Sequence, residues 1–311
     1  MKMASSESSL RTQLDRDGFV VLRQVLDGPT LQALREAAAN ATALARAGGW
    51  KHIRTVGKQF PPWPETPDAD AGGIWGVQHL LHPDMPGRDV FARAYFSDAV
   101  LGPTRELMRH DVDATPVTDD DLVMELFNML VTPGRAFELR WHRDDIPADA
   151  TAEQELARLS ASAHHHVQYN LALLDDDDDS LVVVPGSHVR ARTPAERAAG
   201  PYEVGLEGET RVRLGAGDVV FYDNNVLHRG VYDPARERAT LHGSVGRAGA
   251  GLAARARNVL QHGVGEWVGR CGFEGLGAEG APERRRAEAM RDGLVRLGRD
   301  CGGDVGFSLE G

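Results

Sequence analysis

Apolar residues in this chain change their rhythm near position 122. Ahead of that point, Gly18 to Leu22 (GFVVL) predicts a short strand, and a helix follows to about Ala47. Asp27 is placed to cap this helix, and Pro29 suits its first turn, where no backbone N–H is needed. Residues 48–87 carry Gly, Pro and Trp without a period, which predicts a long loop region of the kind that serves as a lid or pocket wall. A second helical stretch is expected from about Arg88 to Arg109. From Leu122 onward the pattern turns to short β-type runs at 122–132 (LVMELFNMLVT), 138–141, 165–174, 181–184, 210–214 and 218–222. Turn clusters such as Pro133-Gly134 and Gly215-Ala216-Gly217 separate them. Many short strands with no alternating helices argue for an antiparallel sandwich or barrel over a parallel sheet. The tail returns to helix at Pro282, with Ala287, Met290, Leu294 and Leu297 at helical spacing. With no internal repeat or clear linker, residues 1–311 are expected to form one domain. Its parts are a helical N-terminal region and long loop over 1–121, a β core over about 122–247, and a helical tail over about 248–311.

Composition narrows the partners. Hydrophobic content of 41% and charged content of 26% are those of an ordinary globular protein. A net charge of −11 argues against nucleic acid, which selects clustered Lys and Arg, and weakly against an anionic membrane surface. The first ten residues, MKMASSESSL, lack an apolar core of signal-peptide length, and no later run is apolar for long enough to span a bilayer. The two cysteines, Cys271 and Cys301, have no partner pair that would make a metal knuckle; free thiols in a reducing cytoplasm are the expectation.

The chemistry concentrates in His142, Asp144 and His228. In a strand, residues i and i+2 face the same way, so His142 and Asp144 can reach one ion while Asp145 points elsewhere. His228 follows GDVVFYDNNVL and sits where a strand ends, able to return against the first two. Two imidazoles and a carboxylate form the facial set of a non-haem iron oxygenase, with positions left open for co-substrate and dioxygen. The same three groups serve a zinc hydrolase. A surface His-Asp pair with an unrelated histidine would also give this short pattern.

The order of the surrounding motifs separates these readings. GFVVLR (Gly18 to Arg23), the His142–Asp144 segment, PGSH (Pro185 to His188), GDVVFYDNNVLHRG (Gly217 to Gly230) and Arg238-x-x-Leu241 follow one another. In this the chain resembles the phytanoyl-CoA dioxygenase-like family of iron(II)/2-oxoglutarate oxygenases, over roughly residues 15–247. The resemblance implies a mainly β fold with flanking helices and a double-stranded β-helix (jelly-roll, cupin-like) core. It carries the metal roles onto His142, Asp144 and His228. It also implies an arginine on the strand after the distal histidine for the remote carboxylate of 2-oxoglutarate; the planar guanidinium suits a carboxylate and stays charged when buried. Arg238 fits that position, Arg236 is its competitor, and Asn128 is a further contact by resemblance. Relatives often carry a hydroxyl residue two positions after the distal histidine, where this chain has Gly230.

Other features carry less. Consecutive strand residues alternate faces, so at most two of His164-His165-His166 can share an ion. His166, Gln168 and Asn170 share one face of an otherwise apolar run, and their buried polar groups need either a structural network or a ligand. Asp175 to Asp179 lacks the Gly and Glu of a calcium loop and reads as a solvated hairpin turn. His188 reads as structural or pocket-lining. Trp75, Gln78 and His79, in the long loop region, are candidates for substrate contact.

The expected function is therefore an iron(II)- and 2-oxoglutarate-dependent dioxygenase, consuming dioxygen, that hydroxylates an unactivated C–H of a small molecule with release of succinate and carbon dioxide. Desaturation, epoxidation or ring formation would use the same cofactors. A zinc hydrolase or a non-catalytic cupin-like binding protein are the more distant alternatives. No basic cluster for the phosphates of an acyl-CoA stands out.

Overall fold

The computed structural model describes all residues except 1–8, 69, 71, 109–116, 163–164, 176, 201, 249–255, 257–258 and 301–311. His164, Asp176 and Cys301 thus lie outside the described residues. Chain order is α1 (Leu10–Asp17), β1 (Phe19–Leu22), α2 (Gly28–Arg46), β2 (Ile53–Thr55), β3 (Ile74–Val77), α3 (Arg88–Tyr95), α4 (Asp98–Leu107), β4 (Leu122–Val131) and β5 (Phe137–Glu138). There follow α5 (Ala152–Ser162), β6 (His166–Ala172), β7 (Asp178–Val184), α6 (Pro194–Ala198), β8 (Thr210–Leu214), β9 (Val219–Tyr222), β10 (Leu227–Tyr232), β11 (Ala239–Arg247) and α7 (Pro282–Asp300).

The strands form a seven-stranded sheet, β1-β9-β6-β11-β4-β3-β2, and a four-stranded sheet, β5-β10-β7-β8. Their pairings are antiparallel, giving the two-sheet jelly-roll expected. Alternation divides the large sheet into two faces. Val167, Tyr169 and Leu171 of β6 and Leu241 and Val245 of β11 join one core with Leu34, Phe91, Tyr95, Met290 and Leu294 of the helices. The intervening residues, His166, Gln168 and Asn170 of β6 and Thr240, His242 and Ser244 of β11, are buried or half-buried on the opposite face, toward the small sheet. The inter-sheet space is apolar where Leu181, Val183, Val212, Leu214, Val220 and Tyr222 meet and again around Trp75, Leu130 and Tyr232, with polar side chains between. This division places polar side chains where a solid apolar core would otherwise sit.

Asp27 caps α2 through a 2.8 Å hydrogen bond from the Thr30 N–H, with Pro29 in the first turn, as the sequence predicts. The structure corrects several other expectations. The long loop over 48–87 contains β2 and β3, which extend the large sheet through Gly76↔Leu130 and Val77↔Met129. The helix expected over 88–109 is two helices, because the Ser97 hydroxyl bonds back to the Ala94 carbonyl at 2.7 Å and a new helix starts at Asp98. The strand expected at 138–141 is only Phe137–Glu138; beyond it the chain follows β10 by isolated bonds. The aspartate run is not wholly a solvated turn: β7 starts at Asp178, whose side chain is 8% exposed. No helix among the described residues is long and apolar enough to cross a membrane.

Candidate metal centre

His228 stands in β10, paired with Val183 of β7 on one side. On the other side the chain leaving β5 runs along β10. The Leu139 N–H reaches the Gly230 carbonyl at 2.8 Å, and His142 and His228 then exchange two backbone hydrogen bonds of 3.0 Å each. Residues directly opposite in such a pair project to the same side, and the two imidazole centroids are 4.3 Å apart. The chain turns at once, held by the Asp144 N–H on the Asn224 carbonyl at 3.1 Å, and this turn swings Asp144 toward both rings. Asp144 Oδ1 lies 3.4 Å from His142 Nε2 and 3.8 Å from His228 Nε2. The three ligand atoms fall within 4.8 Å of one another.

Each imidazole is oriented through its other nitrogen. Nδ1 of His142 lies 2.7 Å from the Arg140 carbonyl, and Nδ1 of His228 lies 2.8 Å from the Val226 carbonyl. A carbonyl can only accept, so each Nδ1 carries the proton and each Nε2 presents a lone pair, the arrangement metal-binding histidines use. Asp144 is fixed similarly: the Gln168 amide donates to Oδ2, leaving Oδ1 toward the imidazoles. Burial opposes charge on Asp144, but the His142 hydrogen bond, the two imidazoles and Gln168 outweigh it and hold the carboxyl well below its usual range. Burial, then His142, brings His228 down to about 4. Burial also presses on His142, yet the hydrogen bond and charge of Asp144 prevail and raise it. With Asp144 ionised and both Nδ1 protons fixed on carbonyls, the set fits a divalent ion of the iron class, which would take the Nε2 positions in place of the proton that Asp144 favours on His142. Gln168→Leu is expected to weaken iron(II) affinity about 10–100-fold by freeing the carboxylate, with circular dichroism unchanged. Equal affinity in anaerobic titrations of both proteins would mean that the amide does not orient the ligand.

Arg238 enters the inter-sheet space from the start of β11, 7% exposed at its side chain. Its Nε donates to Asp178 Oδ2 at 2.9 Å, Thr240 Oγ1 donates to the same oxygen at 2.6 Å, and the guanidinium lies 5.0 Å above the Tyr232 ring. Nη1 is buried with no hydrogen-bond partner. Burial presses Arg238 down, but Asp178 and Tyr232 outweigh it and the group is raised. Arg236, the competitor, pairs with Asp179 at 2.6 Å and is 40% exposed. At Gly230 a Cβ would stand 2.6 Å from the Tyr232 ring, so tyrosine fills the place of the hydroxyl side chain that relatives often carry there.

The remaining sequence candidates divide. Gln168 touches the triad, and Asn170 Oδ1 lies 2.8 Å from His242 Nδ1 on the same face; His166 is buried on that face too. Trp75 is buried against Leu130 and Tyr232. Gln78 has its amide nitrogen enclosed without an acceptor. Asn128 is paired in register with His242, but its Oδ1 accepts the His79 N–H at 2.9 Å, which commits that oxygen to holding the chain at His79. His79 is held elsewhere: Nδ1 accepts from Trp267 Nε1 at 2.8 Å, Nε2 lies 2.9 Å from the His262 carbonyl, and the ring stacks on His52. His188 packs against Gly18 at the foot of β1.

Sequence reasoning missed Arg54, Tyr222, Tyr232, His242 and Asp178. Burial, followed by the charge of Arg54, brings His242 down to about 3. A polar residue inside an otherwise apolar strand was the available signal for Tyr222 and His242, as it was for Gln168. Arg54 had only the short alternation of His52 to Val56 to mark it.

The profile of the family described as phytanoyl-CoA dioxygenase (PhyH) matches residues 14–231. Among solved structures, AviO1 from Streptomyces viridochromogenes Tue57 is similar at 21% identity and TM-score 0.51, covering 76% of this chain and 93% of that one. HygX from Streptomyces hygroscopicus, with nickel and 2-oxoglutarate bound, is similar at 18% and 0.52, covering 78% and 87%. EctD from S. alaskensis, with 2-oxoglutarate and 5-hydroxyectoine, gives 18% and 0.52, covering 78% of each chain. At these identities the likeness is one of fold. No curated protein matches the sequence.

Proposed function

The chain belongs to the phytanoyl-CoA dioxygenase family, and we propose that it is an iron(II)- and 2-oxoglutarate-dependent oxygenase that hydroxylates an unactivated C–H of a small molecule. The observation that carries this reading is the convergence of two Nε2 atoms and one carboxylate oxygen within 4.8 Å, with both Nδ1 atoms committed to backbone carbonyls. His142, Asp144 and His228 would hold the iron, and Arg238 the remote carboxylate of 2-oxoglutarate. Bound there, iron supplies oxidative decarboxylation of the co-substrate to succinate and carbon dioxide, coupled to oxidation of the substrate carbon.

The chain's own residues bind, orient and exclude water. Gln168 keeps Asp144 turned so that one oxygen faces the metal position. Arg238 offers the unpartnered Nη1 as a charge-assisted donor, and Tyr232 beneath it fixes the guanidinium plane. Leu130, Trp75 and Tyr232 form an apolar wall beside these groups, which lowers the local dielectric and strengthens the contacts inside. Titration of the anaerobic protein with iron(II) and then 2-oxoglutarate is expected to give a weak visible charge-transfer band. Its absence would sink the oxygenase reading.

A further inference from the structure

We infer that Arg54 and Gln78 form a carboxylate-binding point in the wall of the iron pocket, so that the primary substrate is an organic acid. This rests on the oxygenase reading above, because it takes the pocket as the place of reaction. Arg54 belongs to β2, the last strand of the large sheet, and is in register with Gly76 of β3. A Cβ at Gly76 would stand 3.0 Å from Gln78 Nε2 and 3.2 Å from Arg54 Cδ; the missing side chain is what lets both polar chains cross at that point. The guanidinium then lies 5.2 Å above the ring of Trp75, on the wall beside Leu130 and Tyr232.

Other enclosed arginines are matched by acceptors, either carboxylates or, at Arg143, the Ser187 and Arg190 carbonyls. Arg229 meets Glu138 at 2.5 Å, Arg238 meets Asp178, and Arg192 and Arg197 both meet Glu155. Arg54 has no carboxylate within ion-pair distance among the described residues, and its Nε is enclosed without a hydrogen-bond partner. The Gln78 amide nitrogen beside it is enclosed and unpartnered too. Two neighbouring donors, one cationic, with no acceptor are costly to bury unless something supplies oxygen atoms to both. A carboxylate does so with one group. Ile53, the preceding residue of β2, packs into the helix-side core, so alternation turns Arg54 to the opposite face of the sheet, the face of Leu130 and Tyr232.

The co-substrate's own carboxylates are already matched. One end of 2-oxoglutarate belongs to the metal, and Arg238 Nη1 stands ready for the other. Arg54 starts three strands away from β11 in the sheet order, about 14 Å at the usual strand spacing, and rests on a different ring from Arg238. A second acid is therefore the fitting occupant.

The test uses the full-length protein, anaerobic and loaded with iron(II) and saturating 2-oxoglutarate, titrated calorimetrically with acid and amide pairs: acetate and acetamide, hexanoate and hexanamide, phenylacetate and phenylacetamide. The acids should bind about tenfold or more tightly than their amides. Arg54→Gln should erase that preference, Arg54→Lys should restore part of it, and 2-oxoglutarate affinity read from the visible band should stay within about twofold. Arg54→Met should melt at or above the wild-type temperature, since it removes a charge that no residue balances. Absence of an acid preference in the wild type overturns the proposal, as does a melting temperature that falls in Arg54→Met. If Arg54→Gln weakens 2-oxoglutarate as much as Arg238→Gln does, the point belongs to the co-substrate and the proposal fails. A wild type that forms no visible band fails the oxygenase reading instead.

Discussion

Asp144→Ala is expected to lower both iron(II) affinity and succinate formation by more than about 100-fold, since removal of a ligand should exceed the 10–100-fold typical of losing a group that merely orients one. Asp144 brings the only negative charge among the three converging groups. Without it two neutral imidazoles remain, and a divalent ion loses both a bond and its charge compensation. The fold should survive, because the Asp144 side chain is 33% exposed and the backbone pairing of His142 with His228 does not depend on it. Equilibrium dialysis of iron(II) and a succinate assay on the same preparation measure the two losses together. Undiminished turnover in this variant would falsify the assignment of the metal to these residues.

Arg238→Gln should raise the KM for 2-oxoglutarate about 10–100-fold, the worth of one charge-assisted bond to a carboxylate. The same change strands Asp178, 8% exposed, without its cation, and breaking such a buried pair costs about 3–5 kcal/mol. The two effects come apart in the double variant Arg238→Gln/Asp178→Asn, which removes the stranded charge. Thermal stability should recover while the KM stays high. A KM that recovered with stability would make Arg238 a purely structural residue. The ion pair also fixes an acid limit. Burial pushes Asp178 up, but Arg238 and the hydrogen bonds of Thr240 and Ser180 hold it below the ordinary 3.8. Its stabilising contribution is complete above that value and is lost as pH falls through the lower folded pKa, a loss the double variant should not share.

The jelly-roll and the converging triad were legible because their signals are local: short runs with turn clusters, His-x-Asp, and a strand-terminal histidine. The strand assumed beneath His142 and Asp144 was not what joins them. His142 is bridged to His228, and Asp144 arrives by a turn, a register that no short window of sequence contains. β2 and β3, of three and four residues, are too short for alternation to stand out among glycines and prolines. Arg54 went unnoticed for the same reason, since its meaning depends on Gly76 opposite. α5 was missed because its inward side presents Glu155, satisfied by Arg192 and Arg197, where an apolar stripe would be looked for. Its start was nonetheless written in Thr151 and Gln154, which cap each other reciprocally at 2.8 and 3.2 Å. Asp178 looked like one more solvated aspartate until β7 drew it beneath Arg238.

The two imidazoles take their orientation from the carbonyls of Arg140 and Val226, which every residue type at those positions would supply. Apart from Gln168, no neighbouring side chain named above holds a ligand of the triad in place. The pocket wall can therefore drift under selection for new substrates while the oxidising centre is inherited unchanged, and an engineer can randomise Arg54, Trp75 and Gln78 together without re-solving the metal site.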